Sequence, residues 1–140
     1  MSAASNYLEN ELLDHVLRGA AGAWTAPTTL YVGLFKNTSG IAATNLEANT
    51  KTDEVTNGNG YSRQTVTFSV ASNGSTSNTA TLTFGPATAD WGTITHIAIL
   101  DSATVGAGNV LFWSSIATSK VIDNGDTFQI TATNLTVSLA

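Results

Sequence analysis

The feature that most constrains this chain is a change of hydrophobic period near residue 28. Before it, "NYLENELLDHVLRG" (6–19) repeats apolar residues every three or four positions. After it, apolar residues fall in short runs, most of them alternating with polar ones, and Gly, Asn, Ser and Asp break the runs apart. The first pattern belongs to a helix with one buried stripe, the second to strands with one buried face. A chain built this way folds as a sheet structure carrying one helix at its front.

The strand-like runs are "TTLYVGLF" (28–35), "YSRQTVTFSV" (61–70), "TATLTF" (79–84), "TITHIAIL" (93–100), "NVLFWSSI" (109–116), "TFQIT" (127–131) and "LTVSL" (135–139). Val66, Phe68 and Val70 share one face of the second run, and Ala80, Leu82 and Phe84 alternate inward in the third. The run 93–100 is apolar on both faces, which reads as a central strand. "SNGSTSN" (72–78) and "DNGD" (123–126) are turn signals, while 36–60 is a long polar connection without clear periodicity. Short strands with regular turns and no intervening helix predict a mainly β fold, an antiparallel β-sandwich or jelly roll with one N-terminal α-helix. A closed barrel is the main alternative. The 140 residues suffice for one domain with its own core: a flexible arm at 1–5, the amphipathic helix at 6–19 and the sandwich at 28–140.

In the helix, Asn6 followed by Glu9 reads as a capping box, and Gly19 as a stop. Leu8, Leu12 and Val16 run along one stripe with Leu13 and Leu17 beside them. A helix of three turns is marginal by itself, so its stripe must pack on something.

Composition narrows the function classes. Five Lys and Arg against ten Asp and Glu, with the cations scattered, give no phosphate-tracking surface, so no nucleic-acid partner is expected. Cysteine is absent, which removes disulfides, thiolate metal sites and cysteine nucleophiles. No run approaches the roughly 20 apolar residues of a membrane helix, and residues 1–20 hold no unbroken apolar run, so no membrane contact and no secretory leader are expected. Only 11% of residues are charged, which leaves a hydroxyl- and amide-rich surface that desolvates cheaply against a partner.

Chemistry is sparse. His15 sits among helix charges as a solvated side chain, and His96 sits in a strand as a hydrogen-bonded core or rim residue. Neither has the neighbours of a metal site. No G-x-S-x-G elbow, P-loop or dinucleotide fingerprint occurs. Asp101, Asp123 and Asp126 fall at turns, where Asp caps the backbone, and "DNGD" lacks the spacing of a calcium loop. The reading is therefore no enzyme, no catalytic residue, no cofactor and no metal. Apolar periodicity and aromatic anchors leave a candidate interface at Tyr7, Leu8, Leu12, Val16, Trp24, Trp91 and Trp113.

Several blocks together resemble a family of small virion proteins of tailed bacteriophages, often labelled "phage tail fibre protein". They are 6–19, "LYVGLF" (30–35), "GYSRQTVTF" (60–68), "TFGPATADWGTITHIAILD" (83–101), "GNVLFWSS" (108–115) and "GDTFQI…NLTVSL" (125–139). The resemblance implies a structural role in the virion and brings no catalytic residues. The chain lacks the heptads and repeats of a long fibre, so the expected role is a capsid cement or decoration protein on the outer surface of the head. It would bind across boundaries of the major capsid protein lattice and self-associate as a dimer or trimer. The alternative is a tail-fibre or baseplate accessory domain that binds host glycans.

Overall fold

The structure, a computed structural model, describes residues 3–19 and 24–139. Its elements, in chain order, are β1 (Ala3–Ala4), α1 (Asn6–Leu17), β2 (Leu30–Phe35), α2 (Ala42–Glu47), β3 (Gln64–Val66), β4 (Ser75–Ser77), β5 (Leu82–Phe84), β6 (Gly92–Leu100), β7 (Val110–Ile122), β8 (Phe128–Ile130) and β9 (Thr136–Ser138). A five-stranded antiparallel sheet in the order β1-β7-β6-β2-β3 forms one layer. The second layer is a ribbon of two ladders, β5 with β8 and β4 with β9. These described strands make a sandwich, but not the two four-stranded sheets of a jelly roll.

Between the ladders the ribbon is interrupted, and Asn78 bridges the gap. This buried side chain donates to the carbonyls of Ala80 (2.8 Å) and Thr131 (3.1 Å), and its Oδ1 accepts from the Leu135 N–H at 2.9 Å. A buried amide with donors and acceptor all used stabilises the break rather than weakening it.

Alternation along the central strands assigns their two faces. Leu30, Val32 and Leu34 of β2 and Ile97 and Ile99 of β6 point between the layers, against Leu82, Phe84, Phe128, Ile130, Leu135 and Val137. Phe35, Ala98, Leu100 and Val110 point the other way and pack on Leu46 of α2, with Trp113 at the margin. The sheet is therefore covered on both sides, which is why the run at 93–100 is apolar on both faces.

Four expectations are corrected. Residues 3–5 are not a flexible arm: Ala3 and Ala4 pair with Trp113 and Phe112, and the Ser5 N–H donates to the Leu111 carbonyl at 2.9 Å. The small side chains let this backbone complete the β7 edge; residues 1–2 of the expected arm lie outside the described residues. The helix cap is Ser5 rather than Asn6, with Ser5 Oγ accepting from the Leu8 N–H at 3.3 Å. The single-helix expectation misses α2, whose two buried residues, Ala42 and Leu46, are too few to register as periodicity. Val70 and Ala80 are exposed, because residues 67–69 leave the five-stranded sheet after β3 and pair with 77–79 in the second layer.

β7 is also longer than its apolar run suggests. Ser115 faces His96 and Lys120 faces Ile94, so four residues, 116–119, bulge out opposite Thr95 alone. The polar "ATSK" sequence hides a strand that resumes beyond the bulge.

Candidate functional site

The surface built around α1 is the candidate interface. The helix is fixed at its start: Ser5 is fully buried, its hydroxyl donates to the Val110 carbonyl, and its backbone N–H is held by Leu111. One turn later Leu8 is 3% exposed, sealed on the molecule's own sheet. Leu12 is half-buried, and Val16 is 72% exposed. The expected stripe thus runs from core to solvent. Four residues turn a helix about 400°, so a row at i, i+4, i+8 drifts about 40° at each step.

Beside Val16 lie Leu13 and Leu17, 57% and 75% exposed. Residues 15–19 are all exposed, so the last turn of α1 stands clear of the body. The helix closes with the Arg18 N–H donating to the Asp14 carbonyl at 2.9 Å, and Gly19 follows with φ +64°, the left-handed stop its sequence position predicts. Leu13, Val16 and Leu17, at i, i+3 and i+4, form a contiguous apolar face turned to solvent. Leu13 and Leu17 were legible as neighbours of the stripe, but only the docking of Leu8 shows that theirs is the outer face.

The remaining candidates divide. Tyr7 and Trp24 are half-buried beside the helix start. Burial and the nearby Glu11 carboxylate raise the Tyr7 pKa, while a hydrogen bond with Trp24 works against them. Leu8 and Trp91 are corrected: both are core residues. Trp91 is 4% exposed, donates Nε1–H to the Asn59 carbonyl at 2.8 Å and meets Tyr61 edge-to-face at 5.4 Å. Its indole locks the 58–61 turn against the start of β6 and has no face left for a partner. Trp113 is half-buried, with Nε1–H donating to Glu47 of α2 at 2.8 Å and its ring 6.2 Å from His96.

The densest polar constellation lies in the connection that has no sequence periodicity, and it is closed to solvent. Arg63 grips Glu54 through two bonds of 2.7 Å and donates to the carbonyls of Ser102 (2.6 Å) and Ala107 (3.0 Å). Glu54 also accepts from the Tyr61 hydroxyl at 3.2 Å and the Gly106 N–H at 2.8 Å. Burial and the Glu54 carboxylate push the Tyr61 pKa far up, so the phenol stays protonated as a donor. Close by, burial works against ionisation of Asp53, but bonds from Ser39, Thr38 and Asn45 outweigh it and hold its pKa below the ordinary value. These groups fasten loops 37–55 and 101–109 to the sheet. No single residue spacing announces them, because their partners are side chains and backbone groups at many different separations in sequence.

The other titratable groups do local work. Asp101 accepts from the Asn109 N–H (2.6 Å) and side chain (2.9 Å), and Asp126 accepts from the Asp123 N–H at 3.1 Å, the turn-capping roles expected of them. His96 is half-buried with Nδ1 2.8 Å from Thr95 Oγ1, and burial lowers its pKa. Among the described residues no group of three or more His, Cys, Asp or Glu is placed to hold a metal ion, and no helix is long and apolar enough to cross a membrane. A cleft of about 360 Å³ opens between β7 and the 130–136 segment, walled by Phe112, Ile116, Ile130 and Leu135 with Asn134 and Thr136. None of its lining residues titrates near neutrality, so its walls offer contact rather than acid or base.

Comparison with curated proteins finds no match. The family model described as "Podophage GP4 fiber I protein gp80" matches residues 3–138. That span takes in the β1 anchor, α1, both layers of the sandwich and the closing strand β9. The chain belongs to this family of phage fibre proteins and is a virion-associated structural protein.

Proposed function

We propose that this chain is a compact, non-catalytic docking domain of the fibre apparatus, joined to its neighbours through the outer face of α1. The observation that carries this reading is the opposition of the two helix faces: Leu8 is sealed on the molecule's own sheet while Leu13, Val16 and Leu17 stay exposed. Burying their exposed parts contributes on the order of 1–2 kcal/mol each. A single contact of that size is weak, but repetition around an assembled particle makes it firm through effective concentration. Because the partner surface exists only in the assembly, binding stabilises the assembled state by mass action. The family description favours the fibre as the location.

A head-surface cement role is the second reading, favoured by the compact body: the described residues hold two short helices and one sandwich, with nothing to span a distance. In that case the partner is the major capsid protein lattice. Quantitative mass spectrometry of purified virions, with immunogold labelling, separates the two. A small fixed number of copies at the tail supports the fibre reading. A copy number near that of the capsid subunit, with label over the head, overturns it in favour of cement. Absence from purified virions overturns both.

A further inference from the structure

Four Asn–Gly pairs occur in the chain, at 57–58, 59–60, 73–74 and 124–125, and the residues of all four are exposed. Asparagine followed by glycine is prone to cyclise, because glycine has no side chain to hinder attack of its backbone nitrogen on the asparagine side chain. Ring closure needs that nitrogen free and the local backbone able to turn, so the fold, rather than exposure, ranks the four. Asn124–Gly125 is held at both residues: the Asn124 N–H donates to Asp90 at 2.8 Å and the Gly125 N–H to the Ala87 carbonyl at 2.7 Å. Asn57 and Asn59 lie in the turn fastened by Trp91. The Asn59 carbonyl accepts from the Trp91 indole at 2.8 Å and the Thr88 N–H at 2.9 Å, and the Gly58 carbonyl accepts from the Tyr61 N–H at 2.9 Å. Opening that turn disturbs two core residues, Tyr61 and Trp91.

Asn73–Gly74 has no such anchor. The pair is the tip of the hairpin leading into β4, with φ of +51° and +73°, closed by two bonds between Ser72 and Ser75 at 2.9 and 3.0 Å. The Gly74 carbonyl accepts from the Leu139 N–H at 2.9 Å, but among the described residues neither the Gly74 N–H nor the Asn73 side chain has a hydrogen-bond partner. Such a tip opens locally at little cost. We infer that Asn73 is a site of spontaneous deamidation, the first of the four to convert in the folded protein. The inference is independent of the docking role proposed for α1. The Gly74 nitrogen, on losing its proton, forms a bond to Asn73 Cγ. The Cγ–Nδ2 bond breaks, and Nδ2 leaves as ammonia, taking up a proton. Water then opens the five-membered imide at one of its two carbonyls, leaving aspartate or isoaspartate at position 73. The sum is amide plus water to carboxylate plus ammonium, with no oxidant or reductant. Isoaspartate carries the main chain through Cβ, so a turn fitted to two residues gains a backbone atom and a negative charge. The Ser72–Ser75 bonds then part, and the β4–β9 ladder frays from its first rung, Ser75 with Ser138.

The test is timed incubation of the full chain at mildly alkaline pH, in native buffer and in concentrated urea. Peptide mapping follows, with a fragmentation method that separates isoaspartate from aspartate. In native buffer Asn73 is expected to convert roughly tenfold or more faster than Asn57, Asn59 and Asn124, because its turn opens without disturbing the core. In urea the four rates are expected to converge, since glycine follows each asparagine. Asn73→Gln is expected to remove the early phase of ammonia release, and an early phase that persists overturns the inference. So does a native chain in which another asparagine converts first, all four convert at similar rates, or none converts. A lead for Asn73 that survives unchanged in urea overturns it as well, because the local sequence and not the fold then makes the choice.

Discussion

Replacing Arg63 with Met tests whether the buried charge cluster holds the irregular half of the molecule to the sheet. The Arg63 side chain is fully buried and Glu54 nearly so. The substitution keeps most of the apolar volume and deletes four hydrogen bonds: two to Glu54, and one each to the carbonyls of Ser102 and Ala107. Glu54 is then left as a buried carboxylate with only the Tyr61 hydroxyl and the Gly106 N–H. Breaking a buried pair from one side costs roughly 3–5 kcal/mol, and the two stranded carbonyls favour the upper end. For a chain of this length each kcal/mol moves the midpoint by about 3–4 °C, so the melting temperature falls by roughly 10–17 °C. Calorimetry with urea titration measures it, and added salt is expected to change little because the pair is out of reach of screening. The double variant Glu54→Leu/Arg63→Met removes the stranded charge and should recover much of the loss, though the Tyr61 hydroxyl, the Gly106 N–H and the two carbonyls stay unpaired. A single variant that melts within about 3 °C of wild type, or a double variant no better than the single, refutes the argument.

Leu8→Ala removes the side chain that docks α1 and should cost roughly 2–4 kcal/mol by urea unfolding, whereas Leu17→Ala on the outer face should stay within about 0.5 kcal/mol. Gly60→Ala places a Cβ 2.2 Å from the Pro86 carbonyl oxygen at a φ of +79°, so the turn packed under Trp91 must shift; a destabilisation above about 1 kcal/mol is expected, and a neutral result contradicts the close approach. Burial lowers the His96 pKa, so the unfolded chain takes up the proton more readily. Its contribution is present above the ordinary histidine range and lost as pH falls through it toward the folded value. Urea midpoints at pH 7.5 and 5.5 should therefore differ more in wild type than in His96→Gln.

The local periodicities in the sequence determined much of this protein. The change of period at residue 28 determined a sheet structure with a leading helix, and six of the seven apolar runs contain a single strand of the sandwich. The seventh, at 61–70, is divided between the two layers. Asp and Asn at turns, Gly19 after the helix and the two-faced run at 93–100 were likewise readable, because each reports a constraint satisfied within a few residues. What the tertiary structure alone decided is which of two equivalent surfaces faces inward. Leu8, Leu12 and Val16 look alike in sequence, yet the helix turns each onto a different side and only the anchor at Ser5 sets which side is the core. Trp91 and Trp113 are equally plausible anchors until Asn59 and Glu47 are found beneath their indoles. The connection at 36–60 looked structureless because its order comes from Glu54–Arg63 and Asp53, whose partners arrive from 7 to 52 residues away. Periodicity records the burial of side chains along one element, whereas a network closed by groups from several distant segments leaves no period in the sequence.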